Sequence, residues 1–305
     1  MEANFRERMT THKGEKVALL NPGGGYSYVV DRILLSIARH LPDFTLQMRP
    51  HDGAFNVHLF REIVDVTTNT RRQHPDMYIS HGWNQKPIGN WFDQTNAFSH
   101  IGVPGPMVRD FLLEKGIPES KIHIVGHPGM DTVLNGMVPK EIHTEKPILV
   151  VALSLSSYIG QWQDISECFP ADIKRDFMIV NIPHPVLGWR LARDVLQQAS
   201  VCISDWSGTI FEAWSLGVPV VFPSWMKTKV ITAPGSPIQV IYENQIGYHC
   251  QSEEKLEETI RQASAEGITQ EENKFLDGYF PPELRGRSGD EAAKQIMTIL
   301  EEGGV

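Results

Sequence analysis

The stretch ISDWSGTIFEAWSLGVPVVFPS, residues 203–224, carries the pattern that decides the fold of this chain. It begins in an apolar run that predicts a buried strand. A small polar turn then leads into a segment with helical spacing from Thr209. We expect this helix to end at Gly217 and the next buried strand to begin at Pro219. Strand, turn, helix and strand in this order predict a right-handed crossover between parallel strands.

Strand candidates of the same kind recur along the chain and are separated by segments with helical spacing. They lie at residues 17–22, 44–50, 77–80, 97–103 and 122–126 in a first series, and at 147–153, 177–183, 201–205 and 219–223 in a second. Strands that alternate with helices predict doubly wound parallel sheets. The sequence therefore predicts an α/β fold with two Rossmann-like domains and a ligand cleft between them.

The polar, proline-containing segment 135–147 lies between the two series and lacks a clear period, so we interpret it as the interdomain linker. This places an N-terminal domain at residues 1–137 and a C-terminal domain at residues 138–290. The remaining residues, 291–305, continue an amphipathic segment that begins at Ser288, which predicts a last helix with a serine cap. That helix either closes the C-terminal domain or crosses back to the N-terminal domain.

Length, composition and charge exclude several classes of protein. The 305 residues are 41% hydrophobic and 21% charged, which is the balance of a globular chain long enough for two domains. A formal net charge of −9 argues against nucleic acid as a partner. No apolar run approaches the roughly 18 residues of a membrane span, and the polar first residues show no secretory signal.

The three cysteines, Cys168, Cys202 and Cys250, are far apart and odd in number. They fit neither a disulfide framework nor a zinc-binding spacing, so a cytoplasmic location is expected, with peripheral association at a membrane left open. The sequence contains no Asp-x-Asp pattern or His/Asp cluster suited to a metal ion, so we predict no metal site.

Histidines follow two of the predicted strands, at the edge of the sheet where ligands of doubly wound proteins bind. His81 comes directly after the strand at 77–80, and His184 lies between two prolines after the strand at 177–183. A histidine in such a place suits a general base, and a ring that caps strand carbonyls is the structural alternative for His81. The flanking prolines fix the direction of His184, which favours a functional role.

Two more strand-end loops carry small or polar residues. Gly126 lets the backbone turn tightly, and His127 after it either meets an anion or packs at the edge of its domain. Ser156 and Ser157 belong to a serine-rich loop after the strand at 147–153 and can donate hydrogen bonds to phosphate oxygens. Serine-rich loops are common, so this second signal is weak when taken alone.

The polar turn in the opening stretch predicts an anion site. The first turn of a helix offers unpaired N–H groups, and the hydroxyls of Ser207 and Thr209 add further donors. Glu212 lies one turn further along, where a carboxylate suits the two hydroxyls of a ribose. The structural alternative is an ordinary helix start with a solvent-facing Glu212, but five polar strand ends in one chain favour a ligand site.

Gly24 and Gly25 follow the first predicted strand, but position 28 is a tyrosine, so the dinucleotide fingerprint G-x-G-x-x-G is not completed. We interpret these glycines as an acceptor-side loop or a tight turn and not as an NAD site. Trp83 is a second acceptor-side candidate, because an aromatic ring can pack on a sugar or a glycerol chain. Core packing is nevertheless the commoner use of tryptophan.

Four segments, taken in order, resemble a known family. They are HGWNQKPIG (81–89), GVPGPMVRDFLLEKGIPESKIHIVGHPGMDTVL (102–134), IPHP (182–185) and ISDWSGTIFEAWSLGVPVVF (203–222). Together they resemble the CDP-glycerol glycerophosphotransferases of teichoic-acid and capsule assembly, over roughly residues 75–225. Members of that family are GT-B enzymes with two Rossmann-like domains and a cleft between them. The Ser-Gly-Thr turn is also similar to nucleotide-sugar glycosyltransferases and to UDP-N-acetylglucosamine 2-epimerases.

The resemblance implies a role for each matching residue. His81 matches the proposed base of the family, and His184 matches a histidine that contacts the phosphates of the donor. The pyrophosphate would be held by the turn made of Ser204, Asp205, Trp206, Ser207 and Gly208. The resemblance thereby places the donor on the C-terminal domain and the acceptor against the N-terminal domain.

The sequence predicts a GT-B transferase that moves a glycerophosphate or glycosyl group from a nucleotide-diphosphate donor to a hydroxyl acceptor. The donor, linked to CDP or UDP, is a substrate, and no cofactor is required. Three alternatives stay open: an epimerase that acts on UDP-N-acetylglucosamine, a glycosyltransferase that modifies DNA bases, and a nucleotide-binding module without catalysis. The nucleotide base, the transferred group, the acceptor and the oligomeric state are not determined.

Overall fold

The computed structural model describes residues 17–20, 27–42, 44–47, 55–58, 77–80, 95–154, 169–183, 192–226 and 235–302. Contacts divide these residues into two compact units. The first unit contains the described residues up to Asp131 and again from Phe280, and the second contains those from Thr132 to Tyr279. Each unit is built around one parallel sheet.

The eleven strands that the structure describes are short, as is usual for buried parallel sheets. They are β1 Val17–Leu20, β2 Thr45–Gln47, β3 Phe55–His58, β4 Met77–Ile79, β5 His100–Val103, β6 Ile122–Ile124, β7 Ile148–Val151, β8 Met178–Asn181, β9 Val201–Ile203, β10 Val220–Pro223 and β11 Tyr248–Cys250.

The α-helices of the described ranges lie between these strands and at the end of the chain. They are α1 Ser27–Ala38, α2 Pro106–Glu114, α3 Asp131–Leu134, α4 Ala171–Asp176, α5 Ala192–Leu196, α6 Thr209–Ser215, α7 Pro237–Glu243, α8 Leu256–Glu266, α9 Gln270–Tyr279 and α10 Ser288–Glu302. Within these ranges, no helix is both long enough and apolar enough to cross a bilayer.

The sheet of the first unit has the order β2-β1-β3-β4-β5-β6, with every neighbouring pair parallel. Leu19 of β1 lies opposite Val57 of β3, and both side chains are fully buried. The strand β3 was not predicted, because its sequence FNVH offers only two apolar residues separated by a polar one. The other five strands of this sheet confirm the first predicted series.

The core of the first unit packs the last helix of the chain against the first. Ile33 and Ile37 of α1 are fully buried together with Ile296 of α10. The two helices approach so closely that a Cβ at Gly289 would overlap Ser36, which explains the glycine at that position. The chain therefore leaves the second unit after Tyr279, and its last helix completes the core of the first unit.

The sheet of the second unit has the order β11-β10-β9-β7-β8, again entirely parallel. The chain runs outward from β7 to β8 and then returns to the other side of β7 to form β9. The strand order therefore reverses between β7 and β9, and this position is the topological switch point of a doubly wound sheet. The edge strand β11 was not predicted, because three residues, Tyr-His-Cys, give no period to detect.

The helices of the second unit are joined by a buried carboxylate. Glu272, fully buried at the start of α9, accepts a hydrogen bond from the indole Nε1 of Trp214 at 2.7 Å. It also accepts one from the N–H of Thr269 at 2.7 Å, while the Thr269 hydroxyl accepts from the N–H of Glu272 at 3.1 Å. This reciprocal pair is a capping box for α9, and the bond from Trp214 fixes α9 against α6. Phe211 of α6 stacks on Tyr279 of α9 with ring centroids 4.0 Å apart.

The predicted linker has no helix or strand between Asn135 and Pro147. Part of it is nevertheless held to the second unit, since Gln198 exchanges hydrogen bonds with the N–H and the carbonyl of Ile142 at 3.2 and 2.6 Å. Contacts place the division between the units after Asp131, before the linker begins, and again after Tyr279.

Candidate active site

The candidate site lies at the switch point of the second unit, where β7 and β9 end side by side. Past the last paired residues of the two strands, the N–H of Ala152 donates to the carbonyl of Ile203 at 3.0 Å. The N–H of Ser204 then donates to Val221 of the neighbouring strand β10 at 3.2 Å. The loops that leave β7 and β9 thus start from one rigid edge, and ligands of doubly wound sheets bind beyond such an edge.

A buried aspartate joins the two loops. Both oxygens of Asp205 accept hydrogen bonds from Ser154, Oδ1 from the backbone N–H and Oδ2 from the hydroxyl, each at 2.7 Å. The hydroxyl of Ser204 donates to the carbonyl of Ala152 at 2.8 Å. Ser204 and Asp205 are buried, so in this structure their side chains shape the turn. Their predicted contact with the donor stays a prediction.

The next residues of the turn form a partly exposed hydroxyl pair. Ser207 Oγ lies 3.0 Å from Thr209 Oγ1, and the N–H of Thr209 donates to Ser207 Oγ at 3.3 Å. Ser207 and Gly208 are half-buried, whereas Thr209 is buried. One of the two hydroxyls donates to the other, and a phosphate that replaces this bond can accept from both.

The N–H groups at the start of α6 correct one expectation. The sequence predicted unpaired donors here, but the N–H of Ile210 donates to the carbonyl of Ser207 at 3.3 Å and that of Phe211 to Gly208 at 3.1 Å. Bonds of this tight type, between residues three apart, satisfy the first turn without a ligand. The N–H groups of Ile210 and Phe211 are thus already paired, and the hydroxyl pair supplies donors that a phosphate can use.

Glu212 does not face solvent, which corrects the structural alternative from the sequence. Its Oε1 lies 3.6 Å from Nη1 of Arg193 on α5, and its side chain is only 15% exposed. The side chain of Arg193 is itself 2% exposed. The carboxylate oxygens of Glu212 can still accept hydrogen bonds from ribose hydroxyls, and this role stays a prediction.

An aromatic cluster borders the turn. Trp206 stacks on Tyr242 of α7, with ring centroids 4.3 Å apart and planes 15° apart. Tyr242 meets Phe222 and His249 edge-on, at 5.5 and 5.2 Å, and those two rings stack on each other at 4.6 Å. Burial lowers the pKa of His249 to about 4, so its ring is neutral at pH 7.

In the first unit, Gly126 and His127 pack against the start of α10. The N–H of His127 donates to Ser288 Oγ at 2.9 Å. Gly126 has a φ of +77°, and a Cβ there would overlap the Ser288 side chain. His127 is 3% exposed, in line with the packing alternative from the sequence. Their predicted contact with the donor stays a prediction.

The cap of α10 differs from the predicted serine cap. Asp131 accepts hydrogen bonds from the N–H groups of Ser288 at 3.2 Å and Gly289 at 2.7 Å, and from the Ser36 hydroxyl at 2.6 Å. The Ser288 hydroxyl instead donates to the carbonyl of Leu284 at 2.8 Å. Burial raises the pKa of Asp131, and these three hydrogen bonds oppose that rise. A carboxylate of the chain itself therefore occupies this helix start.

Several predicted site residues lie outside the described residues. They are Gly24, Gly25, His81, Trp83, Ser156, Ser157 and His184. The strands before them are described: β1 ends at Leu20, β4 at Ile79, β7 at Val151 and β8 at Asn181. Their predicted roles stay predictions.

No family model matches the sequence, and no curated protein matches it. A variant of the wall teichoic acid polymerase TagF soaked with CDPG matches the structure with a TM-score of 0.68 at 12% identity, over 94% of this chain and 89% of that one. A putative UDP-N-acetylglucosamine 2-epimerase from Listeria monocytogenes gives 0.57 at 12%, over 96% and 97%. The S. aureus MnaA–UDP structure gives 0.61 at 9%, over 94% and 97%.

The fold is of the GT-B type. The motif resemblance to glycerophosphotransferases and epimerases is thereby confirmed at the level of the fold. At 9–12% identity the likeness is one of fold, and what these neighbours bind or do belongs to them.

Three residues of the second unit that support the candidate site were not predicted from the sequence. Arg193, Tyr242 and His249 support the turn from α5, α7 and β11. An arginine in the apolar segment ARDVL is a signal that could have been used, because a buried arginine needs an anionic partner. For Tyr242 and His249, no local pattern distinguishes a supporting ring from any other partly buried aromatic residue.

Proposed function

We propose that the chain is a transferase that uses a nucleotide-diphosphate donor and that the donor binds at the switch point of the second unit. The observation that carries this proposal is the position of the partly exposed turn at Trp206–Thr209. It follows β9 at the place where the strand order reverses, and Asp205 fixes it to the loop after β7. Doubly wound sheets bind nucleotides at this position.

The hydroxyls of Ser207 and Thr209 supply donors for the phosphate oxygens. They lie 3.0 Å apart and belong to a turn whose neighbours are buried and hydrogen-bonded, so they are held in place before a ligand arrives. Donors fixed in advance stabilise the charge that develops on a leaving phosphate better than mobile ones do. The proposal therefore needs no metal ion at this step. Glu212 would accept from the ribose.

The reaction would proceed by attack of an acceptor hydroxyl, whose proton passes to His81. If the donor is CDP-glycerol, the acceptor oxygen forms a bond to the phosphorus that carries glycerol, the bond from that phosphorus to the bridging oxygen breaks, and CMP leaves. If the donor is a nucleotide sugar, the oxygen attacks the anomeric carbon and a nucleoside diphosphate leaves. His184 would contact the donor phosphates in either case. The released nucleotide thus distinguishes the two reactions.

The test begins with a thermal-shift screen of CDP-, UDP-, GDP- and ADP-linked donors. Binding at a hundredfold excess over the dissociation constant stabilises the fold by about 3 kcal/mol. The donor that shifts the melting temperature is then incubated with hydroxyl acceptors, and the released nucleotide is identified by chromatography. We expect CMP or a nucleoside diphosphate to appear, and to disappear with His81→Ala. A wild-type protein that binds none of the donors would contradict the proposal, and an epimerised donor without nucleotide release would indicate an isomerase.

A further inference from the structure

Trp206 is the residue of the candidate turn that neither the hydroxyl pair nor the buried aspartate explains. It lies between Asp205 and Ser207, and the residue is partly exposed although both strand-end neighbours, Ser204 and Asp205, are buried. One face of the indole stacks on Tyr242, with an interplanar angle of 15°. A large flat apolar ring at the edge of a polar turn is well suited to contact another flat ring.

The support beneath Trp206 is rigid. Tyr242 is wedged edge-on against Phe222 and His249, at interplanar angles of 74° and 80°. His249 is held at both nitrogens, because Nε2 lies 3.1 Å from the carbonyl of Ile246 and Nδ1 lies 3.1 Å from Ser224 Oγ. A carbonyl only accepts, so Nε2 carries the proton and Nδ1 accepts from the serine hydroxyl.

The backbone on either side of Trp206 is also held. Asp205 is fixed by its two bonds to Ser154, and the N–H of Thr209 donates to Ser207 Oγ. Burial raises the pKa of Tyr242, and the nearby charge of Asp205 raises it further, so the ring under Trp206 remains a neutral phenol. An indole whose orientation is set before binding loses little side-chain entropy when a ligand stacks on it.

We propose that Trp206 is the stacking surface for the base of the nucleotide, an inference that rests on the proposed function. A nucleotide carries phosphate oxygens and the π face of its base in one molecule. The turn carries an indole at Trp206 and a hydroxyl at Ser207, and the Cα atoms of adjacent residues are about 3.8 Å apart. Base–aromatic stacking depends little on the identity of the base. The surface therefore supplies affinity for the nucleotide, and discrimination between bases comes from other residues.

The experiment compares ligands with and without a base on wild-type protein and four variants. Isothermal titration calorimetry measures the affinity of three ligands. The first is the nucleoside diphosphate that forms part of the donor with the largest thermal shift. The other two, ribose 5-phosphate and pyrophosphate, have no base. Trp206→Ala should weaken nucleotide binding by about 5- to 150-fold, the range for loss of one base–aromatic stack. Binding of the two base-free ligands should be unchanged. Trp206→Phe should keep most of the affinity.

A further variant separates the loss of stacking from a loss of folding. Trp206→Leu retains apolar contact with Tyr242 but has no π face, so it should fold and still bind the nucleotide more weakly. Trp225→Phe is the matched control, because Trp225 is partly buried against the apolar core of the same unit and should not affect binding. If folded Trp206→Leu and Trp206→Ala bind the nucleotide as the wild type does, the stacking role is wrong while the proposed function stands. If the wild type binds no nucleotide, both fail.

Discussion

Asp205 and Ser154, 51 residues apart in the chain, are joined by two hydrogen bonds of 2.7 Å that close the switch point of the second unit. Both residues are buried, so water cannot replace either bond if the carboxylate is removed. The shape of the turn that carries Trp206, Ser207 and Thr209 therefore depends in large part on a side chain that itself lies away from solvent.

Asp205→Ala should lower the free energy of unfolding by about 2–4 kcal/mol, because it leaves the N–H and the hydroxyl of Ser154 buried without these acceptors. Asp205→Asn should cost less, since its amide oxygen can still accept from the N–H while its NH₂ group donates to the serine oxygen. Urea denaturation of the two variants measures the difference. Equal losses for both would mean that charge, and not hydrogen bonding, is what Asp205 contributes.

Glu212→Ala should destabilise the second unit through Arg193. The Arg193 side chain is 2% exposed, and loss of the carboxylate 3.6 Å away leaves a buried charge with less compensation, at a cost of about 1–3 kcal/mol. Glu243→Ala, an exposed carboxylate on α7, is the matched control and should change stability by about 0.5 kcal/mol or less. Thermal denaturation tests this. A loss of nucleotide affinity in Glu212→Gln without loss of stability would assign the residue to the ribose alone.

Asp131→Ala should loosen the last helix in the first unit. The carboxylate accepts from two N–H groups of α10 and from Ser36, so its removal should cost about 2–4 kcal/mol. Asp110→Ala, an exposed carboxylate on α2, should have almost no effect. Hydrogen exchange followed by mass spectrometry should show faster exchange over residues 288–302 in the first variant only. Unchanged protection there would mean that α10 does not depend on this cap.

A histidine pair should make stability depend on pH. His100 Nδ1 lies 3.0 Å from His123 Nε2 on the neighbouring strand. Burial, then the charges of His123 and Lys121, lower the pKa of His100 to about 4. Burial also lowers the pKa of His123, while a hydrogen bond with Gln295 and the charge of Glu302 partly raise it. The unfolded chain, with a pKa of about 6.5, binds protons that the folded chain does not, so stability falls as the pH drops from about 6.5 toward 4.

The melting temperatures of wild type and His100→Asn, measured at about pH 7 and pH 4.5, test this titration. The variant should lose less stability on acidification, by about 1 kcal/mol after allowance for solvent screening of a half-buried pair. His143→Asn, which removes an exposed histidine, should behave like the wild type. An identical acid-induced loss in all three proteins would show that the pair does not titrate in this range.

The alternation of apolar runs and helical segments was enough to predict the fold, because each buried parallel strand is a nearly continuous apolar run. Val201, Cys202 and Ile203, for example, are all fully buried. The same alternation did not predict β3, which has four residues, or β11, which has three, because both mix polar and apolar side chains. Such strands are defined by the neighbours with which they pair.

The sequence also predicted the turn after β9 as a site, but not what each of its residues does. Asp205 was predicted to contact a phosphate, and this contact stays a prediction; what the structure adds is its pair of hydrogen bonds to Ser154. The predicted donor contact of Gly126 likewise stays a prediction, and the structure adds that its φ and its contact with Ser288 fit it to a helix start far along the chain. Contacts between residues so distant in sequence leave no local period, so only the folded chain reveals them.

The most direct test of the account is a crystal structure of the chain with the nucleoside diphosphate that stabilises it most. The account predicts electron density for the phosphates within hydrogen-bonding distance of the hydroxyls of Ser207 and Thr209, beyond the ends of β7 and β9. A nucleotide bound elsewhere on the chain, with this turn empty, would contradict it.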